Sequence, residues 1–404
     1  MQPTDQPDRL PDTGADYGQR IALYFAAMFV IYGVLIPFLP VWLDGRGLDA
    51  NEVAIVMAVP FILRLAVTPT VAIFADRLGA HRLLIIASAW AALAASLALG
   101  GMTGFWPILL IAAPLSLAAA TMMPLVEAIA VKGVRLYALD YGRMRLWGSL
   151  SFVVVGLIVG ALIDRSGSEA ALWVMIAGTL LTVAAAHALP HAPAAAAADE
   201  TAPATPPRSV TREVLRLLRM PVFLAFLIAA SAVQASHAMF YTFGALHMRD
   251  QGISGAWVGA LWAIGVLAEV ALFAVAGSRF RHLKPDTLLA IGAAAAILRW
   301  AVMTLDPPLA LLIPLQLLHA LTYGATHLGA ILFVARAVPD DVSGTVQALY
   351  ATFASGVAMG IATWASGPLF NAYKGGAYAS MAGLAAASLA AALVIRARWN
   401  QGTL

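Results

Sequence analysis

The sequence contains no cysteine and few charges, and these two deficits set the first limits on what the chain can be. Without cysteine there is no disulfide, no thiol catalysis and no cysteine-ligated metal. Charged residues make up only 11% of the 404 residues, whereas the hydrophobic set makes up 61%. Soluble domains carry about 25% charged residues, so this chain has too few charges to cover a water-exposed surface. We therefore expect a membrane protein whose solvent is the lipid bilayer.

The net charge of the chain, together with the placement of its basic residues, argues against a nucleic-acid-binding protein. The formal net charge is +3 and the isoelectric point is 9.3, values that also occur in nucleic-acid-binding proteins. Here the cations lie mainly in short loops between apolar runs, so no nucleic-acid partner is expected. No Walker motif, nucleotide-cradling loop or metal-ligand cluster is visible. This argues against an ATP-driven pump or a membrane-embedded enzyme, and we expect neither cofactor nor metal.

Apolar runs of spanning length predict twelve helices. About 20 apolar residues cross a bilayer, and such runs occupy residues 20–43, 51–74, 83–101, 106–131, 146–164, 170–189, 221–247, 255–277, 287–304, 308–335, 343–369 and 376–396. Residues 1–19 carry four aspartates and no apolar run, which indicates a disordered cytoplasmic tail without a signal peptide. Residues 399–404 form a second short tail.

A flexible segment divides the helices into two sets of six. Residues 190–207 break the periodicity with prolines, alanines and two acids. We therefore place a cytoplasmic linker at 190–219, between one bundle at 20–189 and another at 220–398. The expected fold is an all-α membrane protein with twelve transmembrane helices in two pseudo-symmetric six-helix bundles.

The distribution of lysine and arginine predicts the orientation in the membrane. With the N-terminus inside, 18 of the 24 basic residues fall in inside segments and four fall outside, while Arg64 and Arg299 lie within helices. The positive-inside rule then places both termini in the cytoplasm. We expect a multi-pass protein of the inner (plasma) membrane.

The two halves match each other at an offset of 205 residues. Leu-Asp-Gly-Arg-Gly-Leu at 43–48 aligns with Met-Arg-Asp-Gln-Gly-Ile at 248–253. The same offset pairs Tyr32 with His237, Arg64 with Glu269, and the leucines at 83–84 with those at 288–289. A parallel repeat of six helices is a transporter design, with the substrate site between the halves near the midplane.

A loop motif follows the second predicted helix. Residues 75–82 read Ala-Asp-Arg-Leu-Gly-Ala-His-Arg, which resembles the D-R-x-G-x-(R/K) loop of the major facilitator superfamily. In such a loop Asp76 can receive helix-end dipoles and basic partners, and Gly79 can form the tight turn. The resemblance implies that Asp76, Arg77 and Gly79 act as a conformational latch without touching substrate.

Several further stretches narrow the resemblance. They lie at 141–149, 234–237, 267–269, 297–300, 316–319 and 326–329. Together they resemble the phenylpropionate permease family, a branch related to lactose permease and the nucleoside:proton symporters. The resemblance runs from about residue 20 to 396. It implies a proton-coupled transporter that works as a monomer.

Away from the ends of the predicted helices, only two of the 21 acidic residues remain, Glu127 and Glu269. A charge at a helix centre costs about 2.5–3.5 kcal/mol on insertion scales, so each needs a partner or a function. The low dielectric favours a protonated carboxyl, whereas a nearby arginine favours the ionised form. The candidate partners are Arg64, Arg145, Arg299, His237, His319 and His327.

The resemblance implies a substrate-binding role for part of this set. Glu127 and Arg145 match positions that grip the substrate in lactose permease, and Phe152 falls where an aromatic ring stacks on it. An arginine fork binds a carboxylate through two hydrogen bonds. Glu127 and Arg145 could instead form a structural pair or part of a gate, and Arg64 is either a structural partner of Glu127 or a cavity residue.

A proton-coupling role is implied for Glu269, Arg299 and His319, with Glu127 as a further candidate. The sequence departs from lactose permease here, because Thr322 replaces the expected glutamate and Gln316 the expected lysine. Coupling must then use another group, for which we favour Glu269 with His319 nearby, or it has been lost.

Two predicted helices carry polar side chains at helical spacing. Gln234, His237 and Tyr241 lie on the seventh helix, and Gln316, His319, Tyr323 and His327 lie on the tenth. Polar residues in spanning helices usually face a cavity. We therefore include Gln234, His237, Tyr241, Tyr323, His327 and Arg64 among the substrate-binding candidates, although the aromatic rings could equally serve packing.

These patterns and the resemblance favour one function. We expect a secondary transporter that carries a small aromatic carboxylate such as 3-phenylpropionate inward with protons. Its partners are then the solute, protons and the lipid bilayer. The alternatives are a sugar or nucleoside symporter, an exporter of hydrophobic compounds, or a membrane sensor that binds without transport.

Overall fold

The computed structural model describes residues 14–190, 210–279 and 283–404, and within these ranges the chain is helical without strands. Parts of the expected tail and linker, residues 1–13 and 191–209, lie outside the described residues. The α-helices are α1 Gly14–Leu35, α2 Leu39–Gly45, α3 Ala50–Leu78, α4 His81–Leu99, α5 Phe105–Tyr137, α6 Tyr141–Ser166, α7 Glu169–Ala188, α8 Val210–Leu217, α9 Pro221–Ala235, α10 Ala238–Asp250, α11 Gly255–Arg279, α12 Pro285–Met303, α13 Leu309–Leu317, α14 Thr326–Ala337, α15 Asp340–Ala351, α16 Met359–Tyr373 and α17 Tyr378–Arg398.

Short irregular segments join several of these helices into single membrane crossings. A π-helical turn at Ala320–Ala325 connects α13 to α14, and a second at Thr352–Ala358 connects α15 to α16. Eleven described stretches are long and apolar enough to cross a membrane, and the last, Asp341–Arg398, contains two of the predicted helices. The twelve-helix prediction is confirmed.

The first helix begins earlier than the apolar pattern suggests. Residues 14–19, which we assigned to a disordered tail, already belong to α1. Tyr17 explains the difference, because it is 1% exposed and its hydroxyl donates a hydrogen bond to the carbonyl of Ile129 at 3.1 Å. Its ring also packs against that of Tyr137.

The other two segments expected to be irregular also carry structure. Residues 210–217 of the linker form α8, whose Leu217 is fully buried. Beyond α17, the amide of Leu404 donates to the carbonyl of Ala337 at 2.8 Å, so this segment lies against the second bundle.

The internal repeat predicted from the sequence is visible in backbone geometry. Gly47 and Gly252 both adopt positive φ angles, of 83° and 80°. The amide of Leu48 donates to the carbonyl of Leu43 at 3.2 Å, and the amide of Ile253 donates to the carbonyl of Met248 at 3.0 Å. The same turn, which glycine forms without strain, therefore ends the first crossing of each bundle.

Glycines allow α6 of the first bundle to touch α11 of the second. A Cβ added at Gly160 would overlap the carbonyl oxygen of Gly255, and one added at Gly259 would overlap that of Gly156. Close approach at a small-xxx-small pattern is typical of membrane helix pairs. Beside it, Asp164 accepts hydrogen bonds from the amides of Gly255, at 2.6 Å, and Ala256, at 2.9 Å.

A second contact between the bundles joins α3 to α16. A Cβ at Gly367 would lie 2.8 Å from that of Ala54, and one at Gly360 would lie 2.9 Å from Cδ1 of Ile62. Both contacts between bundles lie toward the end that carries Gly47 and Gly252. We refer to this as the closed end.

Two acidic residues from opposite bundles face each other near the closed end. Asp44 lies on α2 and Asp250 ends α10. Partial burial, and then the Asp250 carboxylate, raise the pKa of Asp44, whereas Lys374 and Arg249 lower it. Like charges across a seam favour separation, so protonation of Asp44 stabilises closure.

Replacing Gly160 with leucine should open the closed end, because the new side chain occupies the space of the Gly255 carbonyl. The native chain has no cysteine, so spin labels can be placed on cysteines introduced at Arg165 and Trp257. We expect a longer label distance in the Gly160→Leu protein. Gly383→Leu is the control, because that site has open space. An unchanged distance would contradict the proposed contact.

Candidate functional site

Arg299 is the centre of a buried polar cluster in the second bundle. It lies on α12 and is 1% exposed. Its guanidinium donates to Gln316 Oε1 at 2.7 Å, to His319 Nδ1 at 3.3 Å and to Thr322 Oγ1 at 3.4 Å. All three partners are neutral, since a histidine nitrogen that accepts a hydrogen bond carries no proton. In the described residues no carboxylate lies within 4.0 Å of this cation.

Two aromatic rings cover the faces of the same guanidinium. Its carbon lies 4.5 Å from the ring centroid of Trp300 and 4.9 Å from that of Phe240. Cation–π contact is strongest where water is excluded. Thr322, Phe240 and Trp300 were not among the predicted site residues, since their contribution depends on contacts between helices.

The hydrogen bonds determine where the protons lie. Because a guanidinium only donates, Nδ1 of His319 accepts and its proton is carried on Nε2. On the other side, His237 Nδ1 donates to the carbonyl of Val233 at 2.9 Å. With His237 neutral, its Nε2 accepts from the Thr322 hydroxyl at 2.9 Å. Thr322 thus accepts from Arg299 and donates to His237.

Glu269 contacts this cluster through the imidazole of His319. Its Oε2 lies 3.4 Å from His319 Nε2, and the two side chains are 21% and 12% exposed. The expected association of Glu269, His319 and Arg299 is therefore present, with the imidazole between the acid and the guanidinium. Glu269 also lies within electrostatic range of Arg145 and His327.

The polar face predicted on the tenth crossing is observed. The ring of Tyr323 stacks on that of His319 with centroids 5.4 Å apart, and on that of His327 at 6.1 Å. Tyr323 and Thr322 both lie in the π-helical turn. Such turns are frequent at functional sites, and this one turns Thr322 toward His237 while Tyr323 remains in the stack.

Aromatic residues continue this surface toward the first bundle. Trp262 of α11 stacks on Phe240 at 4.9 Å and lies 5.5 Å from Tyr241 and 6.3 Å from Phe152 of α6. The buried indole nitrogen of Trp262 has no hydrogen-bond partner within the described chain. The structure therefore brings Phe152 and Tyr241 together. Gln234 is buried beside Tyr350.

In the first bundle Arg145 and Glu127 are neighbours without forming an ion pair. The Arg145 guanidinium lies 4.1 Å from the ring of Phe29, and its buried Nη1 has no hydrogen-bond partner in the ranges described. Glu127 instead accepts from the Tyr141 hydroxyl at 3.2 Å. The alternative of a structural Glu127–Arg145 pair is not seen, and Arg145 keeps donor capacity.

Arg64 does not pair with Glu127, which is one of the two roles that we considered. It donates to the carbonyl of Ser355, and its guanidinium lies 4.7 Å from the ring of Phe61. Ser355 belongs to the second π-helical turn, where the shifted hydrogen-bonding pattern makes carbonyl groups accessible. Arg64 thus joins the bundles and does not contact Glu127.

The predicted latch residues lie at the end of the molecule opposite the closed end. Asp76 accepts from His81 Nε2 at 3.0 Å, and Gly79 ends α3 with a positive φ of 59°. The tight turn expected at Gly79 is confirmed. Arg77 is exposed on the last turn of α3.

Comparison with known proteins places this arrangement in a family. Residues 20–381 match the model of the MFS_1 like family. The chain is 28% identical over 380 residues to a probable 3-phenylpropionic acid transporter of Escherichia coli (strain K12), covering 90% of this chain and 93% of that protein. It is 26% identical over 363 residues to a maltose permease of Geobacillus stearothermophilus, covering 88% of each.

Solved structures share the fold. The nucleoside transporter NupG superposes with a TM-score of 0.79 at 16% identity, covering 95% of this chain and 99% of that one. A bacterial homologue of the human lysosomal transporter Spinster, in an inward-facing and unoccupied conformation, gives 0.72 at 14% identity, with 96% and 97% covered. The resemblance found in the sequence is confirmed. This chain belongs to the MFS_1 like family and is a multi-pass major facilitator transporter.

Proposed function

We propose that the protein is a proton-coupled symporter that carries a small aromatic carboxylate, such as 3-phenylpropionate, into the cell by alternating access. The observation that supports this proposal most directly is the charge balance between the bundles. Among the candidate site residues of the described crossings, the arginines Arg64, Arg145 and Arg299 outnumber the acids Glu127 and Glu269. A monovalent anion would neutralise this excess of positive charge.

The carboxylate and the phenyl ring of such a solute would each contact a suitable group of side chains. Arg145 offers an unused, buried Nη1 donor, which suits a carboxylate. Phe152, Trp262 and Tyr241 form an aromatic surface between the bundles, which suits a phenyl ring. The Trp262 indole can donate to a carboxylate oxygen as well, because it has no other acceptor among the described residues.

Glu269 is the proposed proton carrier. It is partly exposed, and its polar neighbour His319 holds a proton on the nitrogen that faces it. Protonation would remove its charge and change the net charge of the site, which ties proton affinity to anion affinity. In this proposal Arg299, His319 and Glu127 tune the site, and Arg64, His237, Gln234, Tyr323 and His327 line the path.

Orientation follows from the basic loops. The positive-inside rule favours both termini in the cytoplasm of a cell whose inner membrane holds the protein. With this orientation the closed end faces outward, and we infer an inward-facing transporter that works as a monomer. In this proposal Asp76, Arg77 and Gly79 form the conformational latch at the cytoplasmic ends of the bundles.

Uptake of labelled 3-phenylpropionate into proteoliposomes tests this function. We expect accumulation with an inward proton gradient, loss of accumulation with a protonophore, and simple equilibration without a gradient. Maltose and uridine serve as parallel solutes. Accumulation of either in place of 3-phenylpropionate would replace the substrate class and keep the mechanism. Saturable binding without flux of any solute would favour the sensor.

Replacing Arg145 with lysine should weaken binding of the carboxylate by about 10- to 100-fold, because the two-pronged donor is lost while the charge remains. Substrate affinity measured by isothermal titration is the readout. Arg143→Lys, an exposed position on the same helix, is the matched control. Equal affinity in the Arg145 and Arg143 variants would remove Arg145 from the site.

Replacing Glu269 with glutamine should abolish proton-driven accumulation and preserve exchange of substrate across the membrane. Glutamine keeps the size of the side chain and cannot carry the proton. Accumulation and exchange are measured in the same vesicles. Loss of both to the same extent would assign Glu269 to substrate binding, and retention of both would exclude it from coupling.

A further inference from the structure

A cavity of about 280 Å³ lies at the ends of α12 and α17, away from the site between the bundles. It is lined by Lys284, Asp286, Thr287, Arg396, Trp399, Asn400 and Gln401. Lys284 precedes the first turn of α12, and Arg396 lies in the last turn of α17. Both cations are exposed, and neither makes an ion pair or hydrogen bond within the described residues.

The internal repeat shows how the two bundles differ at this place. At the offset of 205 residues, Thr287 of the second bundle corresponds to Arg82 of the first. Arg82 joins the two helix ends of the first bundle, since it donates to the carbonyl of Leu189 at 2.9 Å and to that of His187 at 2.6 Å. The threonine is too short to do so, and the ends of α12 and α17 enclose a cavity between two cations that have no partner among the described residues.

The floor of the cavity is fixed by hydrogen bonds. Asp286 is 2% exposed, and its carboxylate accepts from the Gln401 amide at 2.9 Å. The indole of Trp399 donates to the carbonyl of Gly402 at 2.7 Å. The one acid of the cavity is thus buried and bonded, whereas the two cations face outward and remain available.

Exposed apolar faces lead from the cavity along both helices. Ile291 and Leu298 follow Lys284 at intervals of seven residues on α12 and are 40% and 55% exposed. On α17, Leu393 precedes Arg396 by three residues and is 50% exposed. Residues at these spacings share a helix face. Lys284 therefore stands at the end of an exposed apolar face of α12, and Arg396 lies one turn from an exposed leucine of α17.

We propose that this cavity binds the phosphate group of an anionic phospholipid, with Lys284 and Arg396 holding the phosphate and the acyl chains lying along α12 and α17. Basic pockets at the ends of membrane helices recognise such head groups. A free phosphate would use the two cations but gain nothing from Ile291, Leu298 and Leu393. The bound lipid would tie the start of α12 to the end of α17.

Native mass spectrometry of the purified full chain with dioleoyl phosphatidylglycerol tests the proposal. We expect one tightly bound lipid, and about 30-fold weaker binding in the double variant Lys284→Gln/Arg396→Gln, since each cation contributes about 1 kcal/mol near a charged lipid surface. Arg135→Gln/Arg398→Gln is the control, because it removes the same charge from exposed positions outside the cavity. Equal affinity in both double variants would overturn the proposal.

Thr287→Arg separates a built site from general charge attraction. By analogy with Arg82, the new side chain should fill the cavity and weaken lipid binding although it adds a positive charge. Stronger binding would mean that charge alone attracts the lipid, and would overturn the proposal.

Two further arms test the nature of the ligand. Phosphatidylcholine should bind weakly, because it has no net charge. Glycerol 3-phosphate should fail to displace phosphatidylglycerol at equal concentration, and displacement would show that the site takes a free phosphate. Thermal unfolding of each variant verifies that it is folded.

Discussion

The need to stabilise a guanidinium inside the membrane shapes the polar core of the second bundle. Arg299 on α12 is surrounded by neutral acceptors from the tenth crossing and by the rings of its neighbour Trp300 and of Phe240 on α10. Removing a charge from water is repaid only when its hydrogen bonds are satisfied. The break between α9 and α10, which carries His237, and the π-helical turn, which carries Thr322, both supply the cluster that surrounds this cation.

The same cluster links the acid to the rest of the bundle. His319 lies between Arg299 and Glu269, so the arginine stabilises negative charge on Glu269 only at one remove. A direct ion pair would favour the ionised acid strongly, because an opposite charge at close range stabilises the carboxylate. With the imidazole between the two groups, no such direct pair forms. This geometry is well suited to coupling without the second glutamate of lactose permease.

Much of the fold and part of the site could be predicted from the sequence. Hydropathy predicted the number of membrane crossings, because the bilayer imposes a length on each helix. The matching glycines at 47 and 252 indicated the internal repeat, because few other residues accept the positive φ of that turn. Helical spacing placed His319, Tyr323 and His327 on one face. The contact of Arg64 with Ser355 and the contacts of Thr322 with Arg299 and His237 could not be predicted. Both sets of contacts depend on π-helical turns, which shift the register of one helix against its neighbours.

The two acids at the closed end bear on how fast the transporter changes conformation more than on how tightly it binds its substrate. Asp44 and Asp250 repel each other across the seam between the bundles, and the raised pKa of Asp44 means that this repulsion weakens as the surrounding solution becomes more acidic. In the proposed symporter, in which this end faces outward, external acidity would therefore favour the closed end and oppose the return of the empty carrier to its outward-open state.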